Sequence, residues 1–272
     1  LVTGASGSIG GPLAQACARL GARVILSGRS VKKLEKVYDS IVAQGGPRPS
    51  IAPIDFEQAD AAAYDVLAEA IGGEFGRLDG LAHVGGILGD RSPIAHYDVP
   101  TWLKVMHVNV NAPFILTKIL LPLLGKSTDP SIVFTTSGVS IKGRAYWGAY
   151  AVSKFANEGM MQVLADELAT ESPIRSNSVN PGAVRSPMRA RAYPGEDAGK
   201  LLAHTLDLEQ DGRLQSRQFW AHAGDSNGVM RLDAVELHAL LQAITGHIAT
   251  DGVHHLRNRI GNGTLVSEVA QR

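Results

Sequence analysis

IVFTTSGVSIKGRAYWGAYAVSKFANEGMMQVLADEL, residues 132–168, begins with the composition of a strand and ends with the periodicity of a helix. Ile132 to Thr136 are β-branched or aromatic, as in a buried strand. Phe155, Met160, Met161, Val163, Leu164 and Leu168 then recur at roughly helical spacing. Near the junction stand Ser137, Tyr150 and Lys154. Tyr150 and Lys154 are i and i+4, so a helix puts phenol and ammonium on one face, one turn apart. A phenol with a pKa near ~10 is a poor acid–base group at neutral pH, and a fixed cation beside it moves that pKa toward the working range. A serine hydroxyl at the strand end would hold the carbonyl or alcohol oxygen that exchanges a proton with the tyrosine. The same four-residue spacing also arises on helix surfaces without chemistry, so the context decides.

Outward from this stretch, short apolar runs alternate with helical patterns, the sign of βαβ units and a parallel sheet. Leu1 and Val2 end a first strand, and a helix follows over residues 10–20. RVILSG (23–28), SIAPID (50–55), LDGLAHVG (78–85), SIVFTTS (131–137) and IRSNSVNPG (174–182) read as strands, and residues 31–44, 60–75, 100–124 and 148–169 as helices. The architecture expected is α/β, a doubly wound parallel sheet of Rossmann type in a single domain, with ligands beyond the carboxyl ends of the strands.

Composition bounds the rest. The 272 residues, 44% hydrophobic and 19% charged, can bury a sizeable core as one domain with at most a small appendage. The formal net charge is zero and no basic stripe is visible, so neither nucleic acid nor an anionic membrane is expected as partner. Apolar stretches such as Ile119 to Leu124 are too short to span a bilayer. Cys17 is the single cysteine and cannot form an intramolecular disulfide, which favours a reducing, cytoplasmic location.

Between the first strand and its helix lies TGASGSIG, residues 3–10. Glycines there let the backbone approach a pyrophosphate, and the helix N-terminus offers free amides to it. A plain tight turn is the alternative. Where an acidic residue after the second strand would bind ribose hydroxyls and select NAD, this chain has Gly28 and then Arg29, which suits the 2′-phosphate of NADP.

Ser137 thirteen residues before Tyr150, followed by YAVSKFA, resembles the short-chain dehydrogenase/reductase family, as do LDGLAHVGGILGD, VMHVNVNAPF and VNPGAVRSPMRARAYP. The resemblance covers residues 1 to about 198 and is especially close to a group of bacterial oxidoreductases. It implies a catalytic set of Asn109, Ser137, Tyr150 and Lys154, with Asn109 at a kink in its helix. It also implies a cofactor site of Gly4, Ser6, Ser8, Ile9, Gly10, Arg29, Asp55, Gly85, Tyr150, Lys154, Pro181, Gly182, Val184 and Ser186, holding NADP, with NAD as a possibility. Further implied are a small carbonyl or alcohol substrate and a homodimer or homotetramer joined through residues 101–125 and 148–169.

Three departures stand out. Ser8 replaces the middle glycine of TGxxxGxG, and the glycines at 4, 7 and 10 fit the GxxGxxG of longer relatives that include epimerases. LAHVGG stands where the family reads NNAG, so His83 and Val84 replace both asparagines; His83 is expected to be structural. Past Lys200 the likeness fades, which divides the chain into a cofactor-binding domain at 1–200 and an atypical segment at 201–272.

That segment holds an EF-hand-like loop with Asp207, Glu209 and Asp211 as ligands but Gln218 where a bidentate carboxylate belongs, a partial second loop over 225–236, and TGHIATDG (245–252) as candidate last strand. No metal site is expected. Arg189 and Arg191, in a segment placed like a substrate lid, hint at an acidic substrate.

The expected function is an NADP-dependent oxidoreductase with Tyr150 as acid or base. The alternatives are an epimerase or dehydratase retaining its cofactor, and a silent NADP-binding or calcium-responsive regulator.

Overall fold

The computed structural model describes residues 1–201 and the backbone of Phe219–Ala223 and Val229–Leu232. Strands β1 (Val2–Thr3), β2 (Ile25–Gly28), β3 (Ser50–Pro53), β4 (Gly80–His83), β5 (Ser131–Thr135) and β6 (Arg175–Asn180) run parallel, in the order β3-β2-β1-β4-β5-β6. Helices α1 (Gly10–Arg19), α2 (Val31–Ala43), α3 (Ala61–Phe75), α4 (Val99–Met106), α5 (Ala112–Leu124) and α6 (Gly148–Leu168) connect them, and a short α7 (Pro187–Ala192) follows β6. This is the doubly wound α/β sheet read from the sequence. Its strand order reverses between β1 and β4, where ligands of such sheets bind.

The two-residue period of a strand sorts neighbouring side chains to opposite layers. Ile25, Leu81, Ile132 and Phe134 pack against α3, α5 and α6, while Val2, Leu26 and Ala82 pack against α1 and α2. On α5, Leu116, Leu120 and Leu124 fall on one stripe and are wholly buried. Burial of each contributes about 1.5–3 kcal/mol. Asp60 caps α3 by accepting a hydrogen bond from Ala63 N at 2.9 Å, and Asp98 caps α4 by accepting one from Thr101 N at 2.8 Å.

Three sequence expectations change. The stretch 100–124, read from its apolar pattern as one helix, is split into α4 and α5 by a π-helical turn, His107–Asn111, at the kink that the resemblance implies for Asn109. The combined helical run Val99–Leu124 is also long and apolar enough by composition to cross a bilayer, with a mean hydropathy of 1.3, although no single apolar stretch in it is. Its α5 stripe is instead occupied by the core between α3 and α6.

Third, the strand beside β6 is β7 (Phe219–Ala223), which runs antiparallel to it and pairs in turn with an antiparallel β8 (Val229–Leu232). The sequence pointed to residues 245–252 for that place, and these lie outside the described residues. So do Asp207, Glu209, Asp211 and Gln218 of the EF-hand-like loop, whereas residues 229–232 of the second partial loop are strand. Among the described residues no three His, Cys, Asp or Glu side chains gather as a metal site.

Candidate active site

The loop after β1 approaches the end of β4 so closely that side chains do not fit. Gly4 has φ +64°, and a Cβ on it would lie 2.8 Å from Gly85 Cα. A Cβ on Gly10 would overlap the Gly4 carbonyl. Gly7 N donates to Gly4 O at 2.9 Å and Gly11 N to Gly7 O at 3.0 Å, which closes the turn leading into α1. The amides of Ser6, Ser8 and Ile9 donate to no group among the described residues. They stand at a helix N-terminus, the place for a pyrophosphate. Ser8 is tolerated where relatives carry glycine because its backbone does not enter the left-handed region.

Thr3 ties the end of β4 to β1 without the missing asparagine amides. Its Oγ1 accepts from Val84 N at 3.0 Å and Gly85 N at 3.1 Å, and donates to Ala82 O at 3.2 Å, joining β1 to the end of β4. His83 is buried, its Nε2 2.8 Å from Thr117 Oγ1 and its ring stacked on Phe134 at 4.8 Å. Burial, aided by the Lys154 charge, holds its pKa down to about 3, so it is neutral and structural, as expected.

Beyond β2, Arg29 is exposed and only loosely paired, 4.0 Å from Glu57, whose carboxylate lies 2.6 Å from Lys104. The Ser6 hydroxyl faces Gly28 beside it. Asp55 accepts from Glu57 N at 3.1 Å in a turn after β3, and Phe56 stacks on Tyr64 at 6.1 Å, so both have structural duties.

Past β6, Gly182 has φ +70° and its amide donates to Asn180 Oδ1 at 3.1 Å. Pro181 and Val184 are buried there. Ser186 caps α7, its Oγ accepting from Arg189 N at 3.0 Å, which leaves its hydroxyl proton free to donate.

Ser137 sits at the carboxyl end of β5, and its hydroxyl is near enough to Tyr150, on the first turn of α6, to pull the phenol pKa down. Lys154, one turn on, is buried with Nζ 5.6 Å from the Tyr150 ring centre and donates to Thr135 O at 2.7 Å. Asn109 lies in the π turn. It accepts from Ile87 N at 2.8 Å and donates to Ile87 O at 2.9 Å and Ser153 Oγ at 3.0 Å, while Ser153 Oγ donates to Tyr150 O at 2.8 Å. The four residues therefore meet at the ends of β4 and β5. Asn109 spends its amide on holding the π turn, the loop after β4 and α6 together.

The electrostatics correct one expectation. The Tyr150 pKa is raised, because burial outweighs the hydrogen bond from Ser137. The ammonium of Lys154 is turned to the Thr135 carbonyl, and desolvation lowers its own pKa to about 8, against the pull of Glu158.

Glu158, a further turn along α6, was not singled out in the sequence although the i+4 spacing displayed it. Its carboxylate takes Ser140 Oγ at 3.1 Å and Ser178 Oγ at 2.8 Å.

The lid arginines are also corrected. Arg189 grips Glu196 with two nitrogens at 2.6 Å and lies 3.9 Å from the Tyr193 ring centre, and Arg191 reaches Gly89 O at 3.4 Å. Arg91, unremarked in the sequence and without a local signal there, lies over Trp147 at 4.5 Å and hydrogen-bonds Ala192 O, fastening α7 over the site.

A model of the short-chain dehydrogenases matches residues 1–197. The chain belongs to that family. It is 49% identical over 201 residues to the uncharacterised oxidoreductase YciK of Escherichia coli, a match covering 74% of this chain and 79% of that one. A short-chain dehydrogenase structure from Pseudomonas syringae superposes with a TM-score of 0.73 at 51% identity, covering 74% of this chain and 82% of the other. One from Shigella flexneri, solved in complex with NADP, gives 0.72 at 48% identity, covering 74% and 83%.

Proposed function

We propose that this family member is an NADP-dependent oxidoreductase acting on a carbonyl compound or secondary alcohol, with Tyr150 as its acid–base group. One observation carries the reading: the Tyr150 phenol, with the Ser137 hydroxyl beside it, stands on the same helix face as the buried Lys154, whose Nζ lies 5.6 Å from its ring centre. The cradle of Gly4, Gly10 and Gly85, with the free amides of Ser6, Ser8 and Ile9, fits a dinucleotide pyrophosphate. Arg29, exposed and loosely paired, fits a 2′-phosphate, and the NADP complex of the Shigella relative agrees with that choice. When bound, the nicotinamide supplies or accepts the hydride.

The chain's residues do the rest. Ser137 holds the substrate oxygen beside the phenol. Tyr150, kept neutral by burial, donates its proton to that oxygen in the reducing direction and takes it back in the oxidising one. Lys154 carries charge below about pH 8 and steadies the tyrosinate as it forms. Asn109 holds the π turn against α6 and so keeps this geometry.

We assign residues 1–200 to the cofactor-binding unit, a division supported by the family match ending at 197. Leu103 and Phe114, with Val152, Phe155 and Val163 on α6, are large apolar side chains left exposed, which supports pairing of these helices with a second copy. Cys17, buried with its thiol pushed up to about 11, is inert as a nucleophile. The cytoplasmic reading rests on its being single.

Tyr150→Phe tests the assignment. Turnover should fall by orders of magnitude while NADPH affinity stays nearly intact, because one proton donor and little else is removed. Near-normal rates in that variant would reject it.

A further inference from the structure

The wall beside Tyr150 is apolar, and the arginines of the lid segment and Arg91 each have a partner in the fold. Leu88, Val139 and Trp147 are buried together, with Tyr150 and, from the α7 segment, Met188 and Tyr193 packed against them. The Trp147 ring lies 5.7 Å from that of Tyr150 and 5.7 Å from that of Tyr193.

Around this wall, Arg189 is held by Glu196, Arg185 donates to Ala198 O at 3.0 Å, and Arg191 reaches Gly89 O. The face of Arg91 is taken up by the rings of Trp147 and Tyr193. Lys142 and Arg144 stand exposed in the loop before α6, where water screens them. The same loop places Ile141 and Tyr146 at its exposed rim, and Tyr146 has a φ of 69°. A bulky aromatic residue in the left-handed region is a strained feature of the kind that collects at ligand sites.

Building on the proposed function, we infer that the substrate is an uncharged carbonyl compound whose substituent beside the reacting carbon is apolar and planar or branched. It would lie beside Tyr150 against the partly exposed Met188 and Tyr193, which Trp147, Leu88 and Val139 back from within. A substrate carboxylate there would lie against an apolar wall whose adjacent cation, Arg91, already faces the Trp147 and Tyr193 rings and donates to Ala192 O, and this disfavours it. This reverses the acidic substrate hinted at by the basic residues of the lid.

The test uses two ketones of similar shape, 4-methylacetophenone and 4-acetylbenzoate, titrated calorimetrically into the NADP⁺ complex of the Tyr150→Phe variant, so that binding is read without turnover. The neutral ketone should bind at least about tenfold tighter, a modest share of what an unpaired buried charge costs. Met188→Lys, which puts a cation into the wall at a partly exposed position, should reduce or reverse that preference. Equal or tighter binding of 4-acetylbenzoate, or binding of neither ketone, overturns the inference. The oxidoreductase reading fails separately, if wild-type protein shows no Tyr150-dependent NADPH oxidation with any carbonyl compound, polar sugars and keto acids included.

Discussion

Lys154→Met exchanges a buried ammonium for an apolar chain of similar length, and it should make the protein more stable and inactive. In the fold, desolvation brings the lysine pKa from 10.5 to about 8. That difference corresponds to about 3 kcal/mol by which folding disfavours the charged form. Removing the side chain also deletes the bond to Thr135 O, which takes back about 1–2 kcal/mol. The net expectation at pH 7 is a gain of about 1–2 kcal/mol, or roughly 2–8 °C in Tm for a domain of this size.

The pH dependence separates this explanation from general repacking. The folded pKa lies below the unfolded one, so between about 8 and 10.5 the unfolded chain holds more protons and wild-type stability rises with pH. The methionine variant lacks that rise, so its advantage should shrink across the window and vanish above it. Thermal unfolding of both proteins at pH 7, 8.5 and 10, with NADPH oxidation followed alongside, reads all of this. A variant that melts below wild type at pH 7, with the same gap at pH 10, would refute the reasoning.

Arg29→Ala should weaken NADP binding by about 1.5–3 kcal/mol and leave NAD almost unchanged, as for one hydrogen bond to a charged group; equal losses in a fluorescence titration would reject the 2′-phosphate role. His83 is held neutral, with a pKa lowered to about 3 against 6.5 unfolded, so stability should fall as pH drops below 6.5, by about 3 kcal/mol at pH 4. In urea unfolding His83→Gln should lose less over that range, and an equal loss in both proteins would count against it. Phe155→Glu, on the exposed apolar face of α6, should convert an oligomer into a monomer by light scattering at micromolar concentration; a wild-type monomer would end the pairing proposal.

What the sequence made legible was whatever depends on local period. The alternating strands and helices, and the single face shared by Tyr150 and Lys154, follow from spacing along one element, and they stand in the fold as read. The π turn at His107–Asn111 left no mark on the apolar pattern, because one extra residue in a helical turn barely disturbs it, and only the resemblance pointed to a kink at Asn109. Lid arginines were misread because nothing local to Arg191 announces Gly89, 102 residues away, as its partner.

The lost asparagines after β4 show the same limit from the other side. In the sequence, LAHVGG in place of NNAG looked like decay and fed the idea of a silent protein. In the fold, Thr3 joins β1 to the end of β4, and a neutral His83 anchors β4 to α5 through Thr117. Thr3 belongs to the family's own TGxxxGxG pattern and His83 replaces an asparagine, and between them the end of β4 stays bonded. Decay would leave such a strand end unpaired, and a polar group buried without a partner costs about 1–3 kcal/mol. The end of β4 is instead bonded on both sides and presses Gly85 against Gly4, where the pyrophosphate cradle lies. The loop after β1 and the end of β4 are therefore held in close contact without the asparagine amides.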